Sequence, residues 1–139
     1  MISHLTIAVT LTIPMAVTAG ASAPSTNSDQ TASNVVALQG IWRGSKKRNT
    51  VLLVRPSEKG GLEVHGQDSV SGWSATCSPV KPGEFECKGS GQDFKQGPFT
   101  ISSLIKANRA GFVETWSVDG LRNGQPDKLS GTDQFKKLH

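Results

Sequence analysis

Few residues in this chain have the type and setting to do chemistry, and one carboxylate leads them. Asp133 sits in the run Leu129-Ser130-Gly131-Thr132-Asp133-Gln134-Phe135. Strand alternation puts Leu129, Gly131, Asp133 and Phe135 on one face. A carboxylate placed inward among such neighbours is costly unless something donates hydrogen bonds to it. Either a β-bulge turns it outward, or an internal backbone donor satisfies it, or it is an acceptor aimed into a cavity. Catalytic pairings are thin. His65 is the one histidine away from the termini, and its strand neighbour Glu63 shares its outer face. A Ser-His-Asp arrangement would have to use it, so no enzyme activity is expected. Lys46-Lys47-Arg48 is a basic loop that reads as solvated or as attracting an anionic ligand end. Trp73 alternates with Ala75 and Cys77 and reads as core rather than site.

The 139 residues carry a formal net charge of +4, with 15 Lys+Arg against 11 Asp+Glu. That length suits one domain. The basic excess is scattered, so no nucleic-acid partner is expected. Two Cys cannot form a four-cysteine zinc site, and no metal or cofactor is expected. Leu5–Val17 is an apolar stretch of signal-peptide length followed by small residues, Ala19-Gly20-Ala21-Ser22-Ala23. The expected organisation is a signal peptide over 1–21, a flexible polar leader over 22–34 and a folded domain over 35–139. No apolar run reaches the roughly 18 residues that span a bilayer, so no membrane partner is expected after signal removal. The destination is then secreted, or extracellular, where a disulfide persists. Cys77 and Cys87 flank a stretch with two Pro and a Gly, and a bridge across one hairpin is expected.

The rest must position these groups. After Val35 no stretch sustains a helical apolar period. Short β-rich runs recur between Gly, Pro, Asn and Asp. Eight strands are predicted: Ile41–Ser45, Thr50–Arg55, Leu62–Gly66, Val70–Cys77, Glu84–Lys88, Phe99–Lys106, Gly111–Val118 and Leu129–Leu138. Asp119–Asp127 reads as a longer loop. Eight short consecutive strands predict an all-β fold, an eight-stranded antiparallel up-and-down barrel closed so that no edge stays unpaired. A barrel of that size is filled by side chains or holds one small ligand. Phe99, Ile101 and Ile105 share a face of the sixth strand. Phe112, Trp116 and Val118 share a face of the seventh, with Glu114 between them.

Several segments, in order, resemble the avidin/streptavidin family of calycin-like barrels. Leu38-Gln39-Gly40-Ile41-Trp42 carries a Gly-x-Trp opening, and Asn49–Val54 with the turn to Gly61-Leu62 is similar to the strands that follow it. Glu114-Thr115-Trp116 is similar to the family's seventh strand, and Leu129–Leu138 to its closing Gly-x-Asp-x-Phe strand. The resemblance implies biotin, or a biotin-like molecule, as ligand. Asp133 would accept a ureido N–H, Trp116 would form an apolar wall, and Ser45 and Asn49 would cradle the ureido oxygen. Phe99 stands where one of the family's wall tryptophans would be. It also implies a homo-oligomer, a dimer or weak tetramer, paired through outer faces that here include Val113, Thr115 and Ser117. The chain departs from the family in having no Tyr: the third-strand position of the ureido tyrosine reads Val64-His65-Gly66. The loop tryptophan that a neighbouring subunit lends falls at Gln125. Such a pocket would bind biotin much more weakly than the family does, or bind something else. The alternative is a lipocalin-like secreted interaction or inhibitor module without biotin binding.

Overall fold

Eight β-rich runs pair with their neighbours in chain order, and the last pairs with the first. The computed structural model describes residues 27–46 and 48–139; the expected signal peptide and the first part of the expected leader lie outside them. The strands are β1 (Gly40–Gly44), β2 (Val51–Pro56), β3 (Leu62–Gln67), β4 (Ser71–Lys81), β5 (Glu84–Asp93), β6 (Gly97–Asn108), β7 (Gly111–Arg122) and β8 (Gln125–Lys137). Every pairing is antiparallel, and contact of β1 with β8 closes the barrel. Closure gives every strand a hydrogen-bonded neighbour on each side, although β1 pairs with only Phe135–Lys137 of β8.

The inward side chains separate into two halves along the barrel axis. At one end Phe85, Phe112, Phe135, Leu52, Leu62, Val54, Val64 and Ile105 are fully buried. Phe112 stacks on Phe135 with ring centroids 4.9 Å apart, and Trp42 meets Phe112 edge-on at 4.9 Å. Trp42 Nε1 donates to Leu38 O at 2.8 Å. Leu38 belongs to a helix, α1 (Asn27–Leu38). The polar residues Asn27–Asn34, read from sequence as part of a flexible leader, form the first turns of this helix. Val35 and Leu38, three residues apart, share a helix face and are both buried, so a short apolar stripe docks the helix and plugs this end.

Strands β4 to β8 run further than their apolar residues suggest. Asp119–Asp127 is not a loop: β7 and β8 continue to Arg122 and Gln125 and are joined by Asn123-Gly124 alone. Both turn residues have positive φ, 52° and 77°, which the type I′ hairpin turn demands and which Asn and Gly tolerate. The 77–87 hairpin narrows likewise to Pro82-Gly83, with a register shift between Pro79 and Lys81. Cys77 and Cys87 are direct cross-strand partners, are joined as a disulfide, and face the core with 1% exposure each. Replacing both by Ala removes the short-loop constraint on the unfolded chain. The double variant is expected to lose about 2–3 kcal/mol of stability in urea denaturation while keeping a strand-dominated circular dichroism spectrum.

Candidate functional site

Beyond the packed half, the barrel opens into a cavity of about 120 Å³. Its walls include Trp73 (β4), Phe99 and Ile101 (β6), Trp116 and Val118 (β7) and Leu129 (β8), with Glu114, Asp133 and Thr50 among the polar lining. Each aromatic wall residue is the direct cross-strand partner of a glycine: Trp73 faces Gly66, Phe99 faces Gly91, and Trp116 faces Gly131. A Cβ at any of the three glycines would overlap the ring beside it. The missing side chains therefore let the rings lie flat along the wall, and the lumen stays open. A sheet glycine usually weakens its strand; here it makes space.

The floor is a layer of polar groups between the cavity and the packed half. Glu114 (β7) and Asp133 (β8) are direct cross-strand partners, and Ser103 (β6) joins them. Strand β8 carries no bulge at Asp133, so the carboxylate points inward as its alternation with Leu129, Gly131 and Phe135 indicated. Asp133 Oδ2 accepts from Trp116 Nε1 at 2.8 Å. Asp133 Oδ1 is buried and has no hydrogen-bond donor among the described residues. The ammonium of Lys46 lies 3.4 Å from it, close enough for charge attraction but not aligned for a hydrogen bond. Glu114 is only 4% exposed. Burial pushes its carboxyl above the usual carboxylate range; a hydrogen bond from Ser103 opposes this and the charge of Asp133 adds to it.

The carboxylates at the mouth are of another kind. Asp68 Oδ1 accepts from Val70 N, Ser71 N and Ser71 Oγ at 2.8–2.9 Å, and its other oxygen faces Arg48 at 3.9 Å. Asp93 Oδ1 caps a turn by accepting from Lys95 N and Gln96 N, bonds that hold its carboxyl below the usual range. Asp127 pairs with Arg122 at 2.8 Å. These three are committed to local structure. The floor pair is not.

Of the residues singled out by sequence, the fold brings Asp133, Trp116 and Phe99 to this cavity. Ser45 lines an adjoining recess together with Lys46, Arg48, Thr50, Trp116 and Asp133. Asn49 lines neither space: it is exposed, with φ of 54°, and shapes the turn between β1 and β2. Trp73, read as core, packs against the core but also forms cavity wall. Glu114 also lines the cavity; the sequence signal for it is that it shares a face with Trp116 and sits level with Asp133. His65 is exposed and pairs with Ser74 Oγ at 3.0 Å on the outer wall.

Two expectations follow from this geometry. A carboxyl whose folded-state pKa is raised stabilises the fold fully below its unfolded value, and that contribution is lost as pH rises through the folded value. Glu114→Gln keeps the shape and removes the titration. Thermal denaturation should therefore show the variant gaining on the wild type as pH rises from 4 to 8. Gly66→Ala drives a methyl group into the Trp73 ring. It is expected to cost about 1–3 kcal/mol, the range for overpacking, and to shift tryptophan fluorescence as Trp73 is pushed into the lumen.

Comparison of the chain with protein-family models, with curated proteins and with solved structures finds no match in any of the three.

Proposed function

We propose that this protein is a small-ligand-binding barrel that takes biotin, or a biotin-like molecule, into the open half of its lumen. The observation that carries the reading is Asp133 Oδ1, a buried carboxylate oxygen without a hydrogen-bond donor at the floor of a cavity walled by Trp73, Phe99 and Trp116. An apolar enclosure with a few convergent polar groups is the usual form of a small-molecule site. A ligand N–H reaching Asp133 Oδ1 would supply the donor it lacks, while the rings cover the ligand's apolar body. Ser45 lines the adjoining recess, and its hydroxyl would donate to a ligand carbonyl near the mouth. Trp116 serves twice, because its ring forms wall and its Nε1–H holds Asp133 in position.

The binding is non-covalent and uses no cofactor. The buried disulfide is compatible with an oxidising compartment, and together with the expected signal peptide it supports secretion. Self-association as a dimer or weak tetramer belongs to the same reading. The outer face of β7 is polar, with Thr115 Oγ1 sharing a hydrogen bond with Thr132 Oγ1 at 3.4 Å, which suits a modest interface better than a large obligate one.

The direct experiment is retention on biotin-agarose with elution by free biotin, followed by calorimetric titration of variants. Asp133→Asn keeps an oxygen for Trp116 Nε1 but removes the charged acceptor. It is expected to weaken binding by about 1.5–3 kcal/mol, the range for a hydrogen bond to a charged group, with little change in melting temperature. Trp116→Ala should weaken binding and also lower stability, because wall is lost with it. A barrel that stays in the flow-through, or binds biotin with unchanged affinity after Asp133→Asn, overturns the reading and leaves a lipocalin-like interaction module in its place.

A further inference from the structure

Two carboxyl groups share the floor of the cavity, and among the described residues no cation beside Glu114 offsets the burial that disfavours its charge. Glu114 and Asp133 are paired side by side across β7 and β8. Glu114 is 4% exposed and the Asp133 side chain 13% exposed. Among the described residues no Lys or Arg forms an ion pair with Glu114, and the one cation beside Asp133 is Lys46. Lys46 reaches in from the exposed loop between β1 and β2, and its side chain is 60% exposed. It is a loosely held counter-ion on a flexible stem, placed where a ligand's donor would have to sit.

From these contacts we infer that the head group this cavity selects is a compact organic cation with N–H donors, of the guanidinium, amidinium or ammonium class, seated on Asp133 and Glu114 in place of the Lys46 ammonium. The inference rests on the reading of this cavity as a ligand site and names the charge of the ligand it takes. Three contributions favour the cation over a neutral N–H donor of the same shape. A neutral head that displaces Lys46 satisfies Asp133 Oδ1 but takes the counter-charge from that carboxylate, and a buried charge without its partner is strongly unfavourable; a cation also favours the ionised form of Glu114, which burial alone disfavours. A cation removes that penalty and makes charge-assisted hydrogen bonds, which are shorter and stronger than neutral ones. The faces of Trp73, Trp116 and Phe99 then offer cation–π attraction in an enclosed space, where it is strongest. Glu114 is the residue that makes the difference. With Asp133 alone, one acceptor meets one donor; with Glu114 beside it, the floor presents two carboxyl groups to a head with two N–H donors.

The test compares two probes of nearly one shape, biotin with its neutral ureido head and 2-iminobiotin with a guanidinium head, titrated by calorimetry at pH 7 into the full chain. The wild type is expected to bind 2-iminobiotin at least tenfold more tightly than biotin. Glu114→Gln should collapse that ratio toward one. Lys46→Ala, a loop variant that leaves the barrel wall intact, should tighten 2-iminobiotin severalfold by removing the competing ammonium. Equal or tighter binding of biotin in the wild type overturns the inference and leaves the biotin reading standing. A preference for 2-iminobiotin that survives Glu114→Gln unchanged, or weaker 2-iminobiotin binding in Lys46→Ala, also overturns it. Failure of both probes to bind overturns the inference together with the reading on which it rests.

Discussion

Two carboxyl groups held out of water fix how the interior of this barrel is divided. Glu114 and Asp133 occupy one rung of the β7–β8 ladder. On one side of them the inward positions are Phe112 and Phe135, stacked and fully buried. On the other they are Trp116 and Gly131, then Val118 and Leu129, which line open space. Eight strands can be filled to the axis by side chains, and the lower half of this barrel is. Filling the upper half in the same way would bury both carboxyl groups against hydrocarbon and strip Asp133 of Lys46, at several kcal/mol for an unpaired charge. The cavity is thus the space that the polar floor requires above it, and the flat aromatic walls are how the sheet provides it.

The three aromatic–glycine pairs connect sequence to that space most directly. An aromatic ring opposite an ordinary side chain stands out from the sheet and occupies the lumen. Opposite Gly66, Gly91 and Gly131 the rings of Trp73, Phe99 and Trp116 settle onto the neighbouring strand instead. The arrangement covers strand glycines that would otherwise leave backbone exposed, so one contact supports both the wall and the opening. At the other end, Trp42 bonds Leu38 O and packs on Phe112, and α1 covers the barrel there. The cavity lies toward the opposite end, where Lys46 and Arg48 meet Asp133 and Asp68.

Much of the fold could be read from the chain, because the period-2 pattern of an antiparallel barrel is local. The eight strands, their order and the Cys77–Cys87 bridge all follow from short-range pattern and turn chemistry. The extent of the strands was less legible. Beyond Val118 the residues Asp119, Gly120, Arg122, Gln125, Pro126 and Asp127 carry no apolar alternation, because the inward face there lines a mouth rather than a core; the Asn123-Gly124 turn was the signal that the strands continue. The helix over Asn27–Leu38 was hidden for a related reason, since Val35 and Leu38 are its only fully buried side chains among the described residues. At the site, alternation pointed Asp133 and Trp116 inward, but could not show that Asp133 lacks a donor at one oxygen. Trp73 packs against the core as its alternation indicates and also lines the cavity, because core and cavity wall share one face and only the packing of Gly66 beneath it marks the second role. Asn49 illustrates the converse: a donor side chain adjacent in sequence to the mouth, turned away by a left-handed backbone.

The three tryptophans report separately on the two ends of the barrel. Trp73 and Trp116 line the cavity, and the Trp116 indole N–H lies on Asp133, whereas Trp42 is sealed at the opposite end on Leu38 O. Indole N–H resonances in a ¹⁵N-correlated spectrum, followed as biotin is added, therefore test most directly whether the lumen is the binding site. The account predicts that the Trp116 and Trp73 signals shift in a saturable way while Trp42 stays in place. No movement of the Trp116 signal at saturating biotin, or a Trp42 shift as large as that of Trp116, would contradict it.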